Sequence, residues 1–255
     1  MIYQLLFSAT GRSKKVMDII AGQWEGEKIE IDLSDPDFDE KKYNFTKEDF
    51  CILTVSVFEG RIPSPAAAKL KKLQGNGAKV LLVAVFGNRA VDDCLLEMRD
   101  VMTEAGFVPA AAIEASVQHS IINVVADDRP DAEDTALLKD FAEKVKSLVS
   151  EKQTFGQLKV PGKFPYVEMG GVPYKPAGNE SCIECGLCAE KCPVMAIPAD
   201  NPRSTDRSKC ITCMRCVDIC PVGARNFPQE LIDRTYRKMK PLFEERKPDK
   251  LYIAE

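Results

Sequence analysis

A chain of 255 residues is long enough for one domain of about 150 residues with a smaller companion. Its 45% hydrophobic and 29% charged residues exclude collagenous, disordered and multi-span membrane chains. The net charge of −4 argues against general nucleic-acid binding.

No window reaches the roughly 18 unbroken apolar residues that a membrane span needs. Met1 to Arg12 also lacks a secretory pattern, so a cytoplasmic protein is expected. Residues 1–153 hold 19 basic and 26 acidic side chains, a balance of −7, and the remainder 16 and 13, or +3. That polarity fits two domains.

Ile2 to Phe7 predicts a strand that stops at Ser8-Ala9-Thr10-Gly11, and Val16, Met17, Ile19 and Ile20 give the following helix an apolar side. Lys28 to Leu33 alternates apolar and polar residues, the pattern of an edge or half-buried strand. The acidic passage from Asp35 to Glu40 reads as a solvated face, and Phe50 to Val57 as a third strand. Pro63-Ser64-Pro65 opens a helix that stops near Gly75-Asn76-Gly77. Lys79 to Phe86 is the most hydrophobic segment, as in a central parallel strand covered on both faces. Val91, Leu95, Met98, Val101, Met102 and Ala105 then recur at helical spacing, Phe107 to Ala115 predicts a fifth strand, and Leu137, Leu138, Phe141, Val145, Leu148 and Val149 line a last long helix. Trp24, Cys51 and Cys94 read as packing residues.

This alternation predicts an α/β fold, a five-stranded parallel sheet with helices on both faces. Ligands of such sheets lie beyond the carboxyl ends of the strands, where the strand order reverses. The loops after Phe7, Val57, Phe86 and Ala115 are therefore the ones to inspect. Residues 154–179 are rich in glycine and proline and form a linker or extended arm. Residues 180–228 contain eight of the ten cysteines, and 229–255 make a C-terminal helix and tail whose docking side the sequence does not reveal.

Cys182, Cys185, Cys188 and Cys192-Pro193 form the run C-x2-C-x2-C-x3-C-P, and Cys210, Cys213, Cys216 and Cys220-Pro221 repeat it. A cubane of four irons and four sulfides needs four thiolates. The tight x2-x2 loop supplies three, and in this run the fourth comes from the opposite segment. One [4Fe–4S] cluster is thus expected on Cys182, Cys185, Cys188 and Cys220, the other on Cys210, Cys213, Cys216 and Cys192. Structural zinc, the competing reading, more often uses separated C-x2-C pairs or Cys/His mixtures. The segment resembles bacterial-type two-cluster ferredoxins, with all eight ligands matched. The resemblance implies a small α+β fold of two short hairpins and two short helices, and low-potential one-electron transfer. Gly186 stands where such glycines usually do, whereas Met214 and Arg215 occupy the equivalent stretch of the second loop.

After the first strand, Ser8, Thr10, Gly11, Arg12 and Ser13 precede a helix, whose amides and positive end suit a phosphate. A capped strand–helix turn is the plainer alternative. The loop resembles that of flavodoxins, which implies the phosphate of FMN. Phe58, Gly60 and Arg61 follow the third strand, where they contact a flavin ring or simply form a turn with a solvated arginine. Phe86, Gly87 and Asn88 follow the fourth; Asn88 meets the ring's polar edge or caps a helix. His119, the only histidine, is a packing residue, a surface residue or a proton relay.

Taken whole, the chain resembles flavodoxin–ferredoxin fusion proteins of anaerobic bacteria and archaea. This implies an iron–sulfur flavoprotein that exchanges electrons between two [4Fe–4S] clusters and FMN, with a ferredoxin or an oxidoreductase as redox partner. The alternative is a redox-sensing or partner-binding protein whose flavodoxin-like domain lacks flavin.

Overall fold

The computed structural model describes all 255 residues, Met1 to Glu255. Strands β1 (Ile2–Phe7), β2 (Lys28–Asp32), β3 (Phe50–Ser56), β4 (Lys79–Phe86) and β5 (Val108–Ser116) alternate with helices α1 (Arg12–Ala21), α2 (Ser64–Leu70), α3 (Cys94–Glu104) and α4 (Ala132–Glu151). The five strands pair in parallel in the order β2-β1-β3-β4-β5, which is the flavodoxin-like order.

The continuous apolar run of β4 has a direct cause. Val80, Leu82, Ala84 and Phe86 enter one core with Leu95, Met98 and Met102 of α3. Leu81, Val83 and Val85 enter the other with Val16, Met17 and Ile20 of α1 and Leu138, Phe141 and Val145 of α4. Successive side chains of a strand point to opposite faces, so a strand covered on both sides must be apolar throughout. Cys51 and Cys94 are fully buried in this domain, and burial pushes both thiols up, as expected for inert core residues. Trp24 stacks on Phe50 with centroids 5.1 Å apart.

From α4 an arm runs across the sheet domain. Leu158 is buried in its core, the Tyr166 hydroxyl donates to Asp100 at 2.7 Å, and the Lys163 and Val167 amides donate to Asp93 at 2.9 and 2.6 Å. The small domain follows, with β6 (Ala177–Gly178), α5 (Leu187–Glu190), α6 (Arg215–Asp218) and β7 (Arg225–Asn226). Only one two-stranded ribbon forms there, β6 with β7, where the resemblance implied two hairpins. The other half keeps the single bond from Asp206 N to Ala196 O at 2.7 Å, in a stretch where Pro198 and Pro202 have no N–H to give.

The C-terminal segment returns to the large domain. Helix α7 (Gln229–Phe243) packs Ile232, Tyr236, Met239 and Phe243 on Ile122 and Val125. Strand β8 (Lys250–Ile253) then pairs antiparallel with β5, adding a sixth strand to the five expected. No helix is long and apolar enough to cross a membrane.

Two buried polar anchors hold this tail. The Asn88 amide donates to Phe243 O at 2.9 Å and Glu245 O at 3.1 Å, and its Oδ1 accepts from Lys247 N at 2.9 Å. Asp249 accepts from Ser116 N at 2.8 Å and pairs at 3.1 Å with Arg129, which also holds Asp134. Asn88→Ala should cost about 2–3 kcal/mol, since three bonds go and buried partners stay unsatisfied. Urea unfolding would read the loss, and amide exchange should quicken in residues 229–253; unchanged exchange there would contradict the anchor.

Burial, opposed by the Ser116 N–H and Arg129, raises the Asp249 carboxyl to about 6. The folded state therefore binds more protons than the unfolded chain between the ordinary value of about 3.9 and about 6, and stability falls as pH rises through that window. Asp249→Asn removes the slope. Its melting temperature relative to wild type should rise between pH 5 and 7 by the equivalent of about 1 kcal/mol, whereas parallel curves would refute the shift.

Candidate cofactor site

The two cysteine runs fold as copies offset by 28 positions, the separation of Cys182 and Cys210. Glu184 and Thr212 take left-handed φ of 55° and 54°, and Gly186 and Met214 of 76° and 67°. Helices α5 and α6 start at equivalent positions directly after these turns. Such turns point successive amides to one side, as an anionic centre requires. Met214 achieves it without glycine, at some conformational cost.

The thiols gather in two sets. Cys182, Cys185, Cys188 and Cys220 line one small cavity, and Cys192, Cys210, Cys213 and Cys216 line another. Each fourth cysteine thus stands with the opposite run. No three of these side chains converge closely enough for a single metal ion; they stand around a space instead. Ala196 N and Ala224 N donate to the sulfurs of Cys192 and Cys220 at 3.2 Å, and Thr212 N to that of Cys210 at 3.4 Å. Eight thiols in two rings of four, with amides on sulfur, suit iron–sulfur cubanes.

Beside the second ring lies a cavity of about 240 Å³. Thr10, Arg12, Ser13, Phe58, Gly60, Phe86 and Gly87 all line it, as do Val117 and Gln118 after the fifth strand, so all four predicted loops converge. Cys213 lines the same cavity with its neighbours Ile211 and Thr212. The seam is fixed by Arg215 at the start of α6, which donates to Ser8 O at 2.7 Å, Ala9 O at 3.4 Å and Ser34 Oγ at 2.5 Å. One residue of the second thiol loop is therefore bonded to the loop after β1.

That loop is built as a helix start. Gly11 is left-handed at φ 72° in the N-cap position, and Ser8 Oγ accepts from Lys14 N at 3.1 Å. The Ser13 hydroxyl meets that of Ser56 at 2.8 Å. Arg12 gives one terminal nitrogen to Gln118 at 2.7 Å, while its buried Nε has no partner. Hydroxyls, amides and an open guanidinium donor at one end, with Phe58, Phe86, Tyr174 and Phe227 along the walls, suit a phosphate and a flat ring.

Four residues expected at the site serve other contacts or lie behind the wall. Arg61 forms a bidentate pair with Glu97 at 2.8 and 2.7 Å, donates to Val167 O and lies over the Tyr166 ring, so its charge fastens the arm. Asn88 holds the C-terminal tail and caps no helix; α3 has Asp93 at its N-cap position. Ser8 and Gly11 shape the first loop without lining the cavity.

His119 does line the cavity. Its Nδ1 accepts from Ile121 N and Ile122 N, both at 3.1 Å, which leaves the ring proton on Nε2. Burial, with Arg12 and Arg89 nearby, lowers its pKa to about 4, so it is neutral at pH 7. Gly87 is required by this ring, because a Cβ there would lie 2.7 Å from His119 Cδ2.

The walls that sequence reading missed come from distant segments: Tyr174 and Phe227 beside the small domain, and Ile232, Thr235 and Met239 of α7. The spacing of the last three marks one helix face, but nothing local says what that face covers.

Residues 167–225 match the family model described as a 4Fe-4S dicluster domain. No curated protein matches the chain. Among solved structures, a Streptococcus pneumonia TIGR4 flavodoxin is 17% identical, with a TM-score of 0.42 over 58% of this chain and 99% of that one. An azoreductase of Bacillus anthracis str. Sterne is 12% identical, with a TM-score of 0.39 over 58% and 100%. The rubredoxin oxygen:oxidoreductase of Desulfovibrio gigas is 14% identical, with a TM-score of 0.38 over 59% of this chain and 36% of that one. The chain's own topology and its cysteine segment together define it as a doubly wound domain of flavodoxin-like strand order joined to a segment of the 4Fe-4S dicluster type.

Proposed function

We propose that this chain is an iron–sulfur flavoprotein that passes electrons between two [4Fe–4S] clusters and FMN. The clusters supply one-electron transfer, and FMN accepts or releases one electron or two. The observation that carries the reading is the shared wall: Cys213 lines the same cavity as the loop after β1.

In this reading Cys192, Cys210, Cys213 and Cys216 hold the inner cluster, and Cys182, Cys185, Cys188 and Cys220 the outer one. Support for that polarity is exposure. Cys185 is exposed and Ile183 beside it is 62% exposed, whereas Ile211 and Cys213 at the equivalent places in the second loop pack against the core of the large domain. A partner protein that exchanges single electrons would meet the outer loop. Thr10, Ser13 and the amides before α1 would hold the phosphate, with Arg12 Nε–H as a further donor. Phe58, Phe86, Tyr174 and Phe227 would enclose the ring and exclude water. Arg215 keeps the two cofactor sites in register by bonding one loop to the other.

Protein purified without oxygen should contain eight irons, eight acid-labile sulfides and one FMN released on denaturation. Clusters in full amount with no FMN, even after its addition, would refute the flavoprotein reading and favour a redox sensor. Cys192→Ser should disrupt the cluster of the second run and spare that of the first. Halved iron with only the outer signal left in electron paramagnetic resonance is the expected result; loss of the outer signal would contradict the crossed ligand assignment.

A further inference from the structure

Two arginines are sealed inside this protein, and they differ in one respect. Arg129 is 5% exposed and meets the carboxylates of Asp134 and Asp249. Arg225 is 1% exposed and meets no carboxylate. Its terminal nitrogens donate to the carbonyl of Pro202 and the hydroxyl of Thr205, to Pro176 O at 2.9 Å and to Ser204 O at 3.4 Å. Its buried Nε has no hydrogen-bond partner. Carbonyl dipoles solvate a guanidinium, but they leave its charge uncancelled, and a buried cation without an anion is strongly disfavoured.

The acidic groups within its reach are thiols. Arg225 borders the cavity of Cys182, Cys185, Cys188 and Cys220. Its Nη1 donates to Pro202 O, the carbonyl that also accepts from the Cys188 thiol of that ring at 3.8 Å. The backbone of Arg225 is pinned opposite Gly178 in the β6–β7 ribbon, so the guanidinium starts from a fixed point.

We propose that Arg225 is the counter-charge of the outer thiol ring, offsetting negative charge when its cysteines bind iron and holding that cluster at a higher reduction potential. The inference rests on the cluster reading above. Reduction adds one electron and hence one negative charge to a cluster, and a fixed cation nearby favours the reduced form.

The test uses the full chain purified without oxygen, with Arg225→Met and Arg225→Lys beside wild type. Iron content and midpoint potentials would be read by titration under electron paramagnetic resonance. Arg225→Met should lower the potential of the outer cluster by at least tenfold in the reduced-to-oxidised ratio, 59 mV for one electron. Arg225→Lys should stay within threefold of wild type. Full iron with an unchanged outer potential in Arg225→Met overturns the proposal. If Arg225→Met loses its iron, Arg225→Lys decides: an outer potential within threefold of wild type supports the counter-charge, while lost clusters or a tenfold fall sink it. Wild type without iron would instead overturn the cluster reading itself.

Discussion

One guanidinium fixes the relation between the two halves of the site. Arg215 begins the helix that follows the left-handed turn at Met214, so its position is set by the second thiol loop. Its acceptors are main-chain carbonyls of Ser8 and Ala9, whose positions are set by the end of β1, together with Ser34 Oγ just beyond β2. Main-chain acceptors at the end of an interior strand move little, and an arginine fork bonds several of them with defined geometry. The consequence is a wall common to a thiol ring and a cavity. Without that seam the two domains would be joined only through the arm and the tail.

The cavity also depends on polar groups that never touch it. Arg61 and Glu97 fasten the arm against α3, and Asn88 fastens the segment after α7. Both arise from the site loops themselves, yet they point away from the cavity and recruit the segments that close it. A loop at the carboxyl end of a parallel sheet has two ways to serve a ligand, by touching it or by holding its cover. Phe58 and Gly60 line the cavity itself, while their neighbour Arg61 holds its cover. His119 stands between these roles: Nδ1 is held by the main chain, Phe243 lies edge-on at 5.6 Å, and the ring still borders the cavity.

Charge is handled differently in the two domains. The large domain neutralises its buried arginine with carboxylates, and the network of Arg129, Asp134 and Asp249 ties β8 to β5. The small domain buries Arg225 among carbonyls and thiols, with no acid of its own alongside. A domain of this size has too little apolar interior to stabilise itself by burial alone, and thiol rings that bind metal supply the missing constraint.

The sequence alone determined the parallel strands, their helices and both thiol rings. Apolar periodicity reports local burial, so the alternating faces of β4 were legible from eight consecutive residues. The doubled x2-x2-x3 spacing likewise reports a metal cradle within a few residues, and the crossed fourth cysteine follows from the same pattern. Tertiary structure decided the rest. Strand β8 has four residues and no distinctive pattern, and it becomes a strand only because β5 presents a free edge. Tyr174, Phe227 and Met239 reach the cavity wall from segments more than 50 residues beyond the nearest predicted site loop at His119. Arg61 and Asn88 were read by type and place in the chain, but their partners Glu97, Val167 and Glu245 arrive only through folding. A side chain's neighbours across space are set by how elements pack, and that information is absent from any local run of residues.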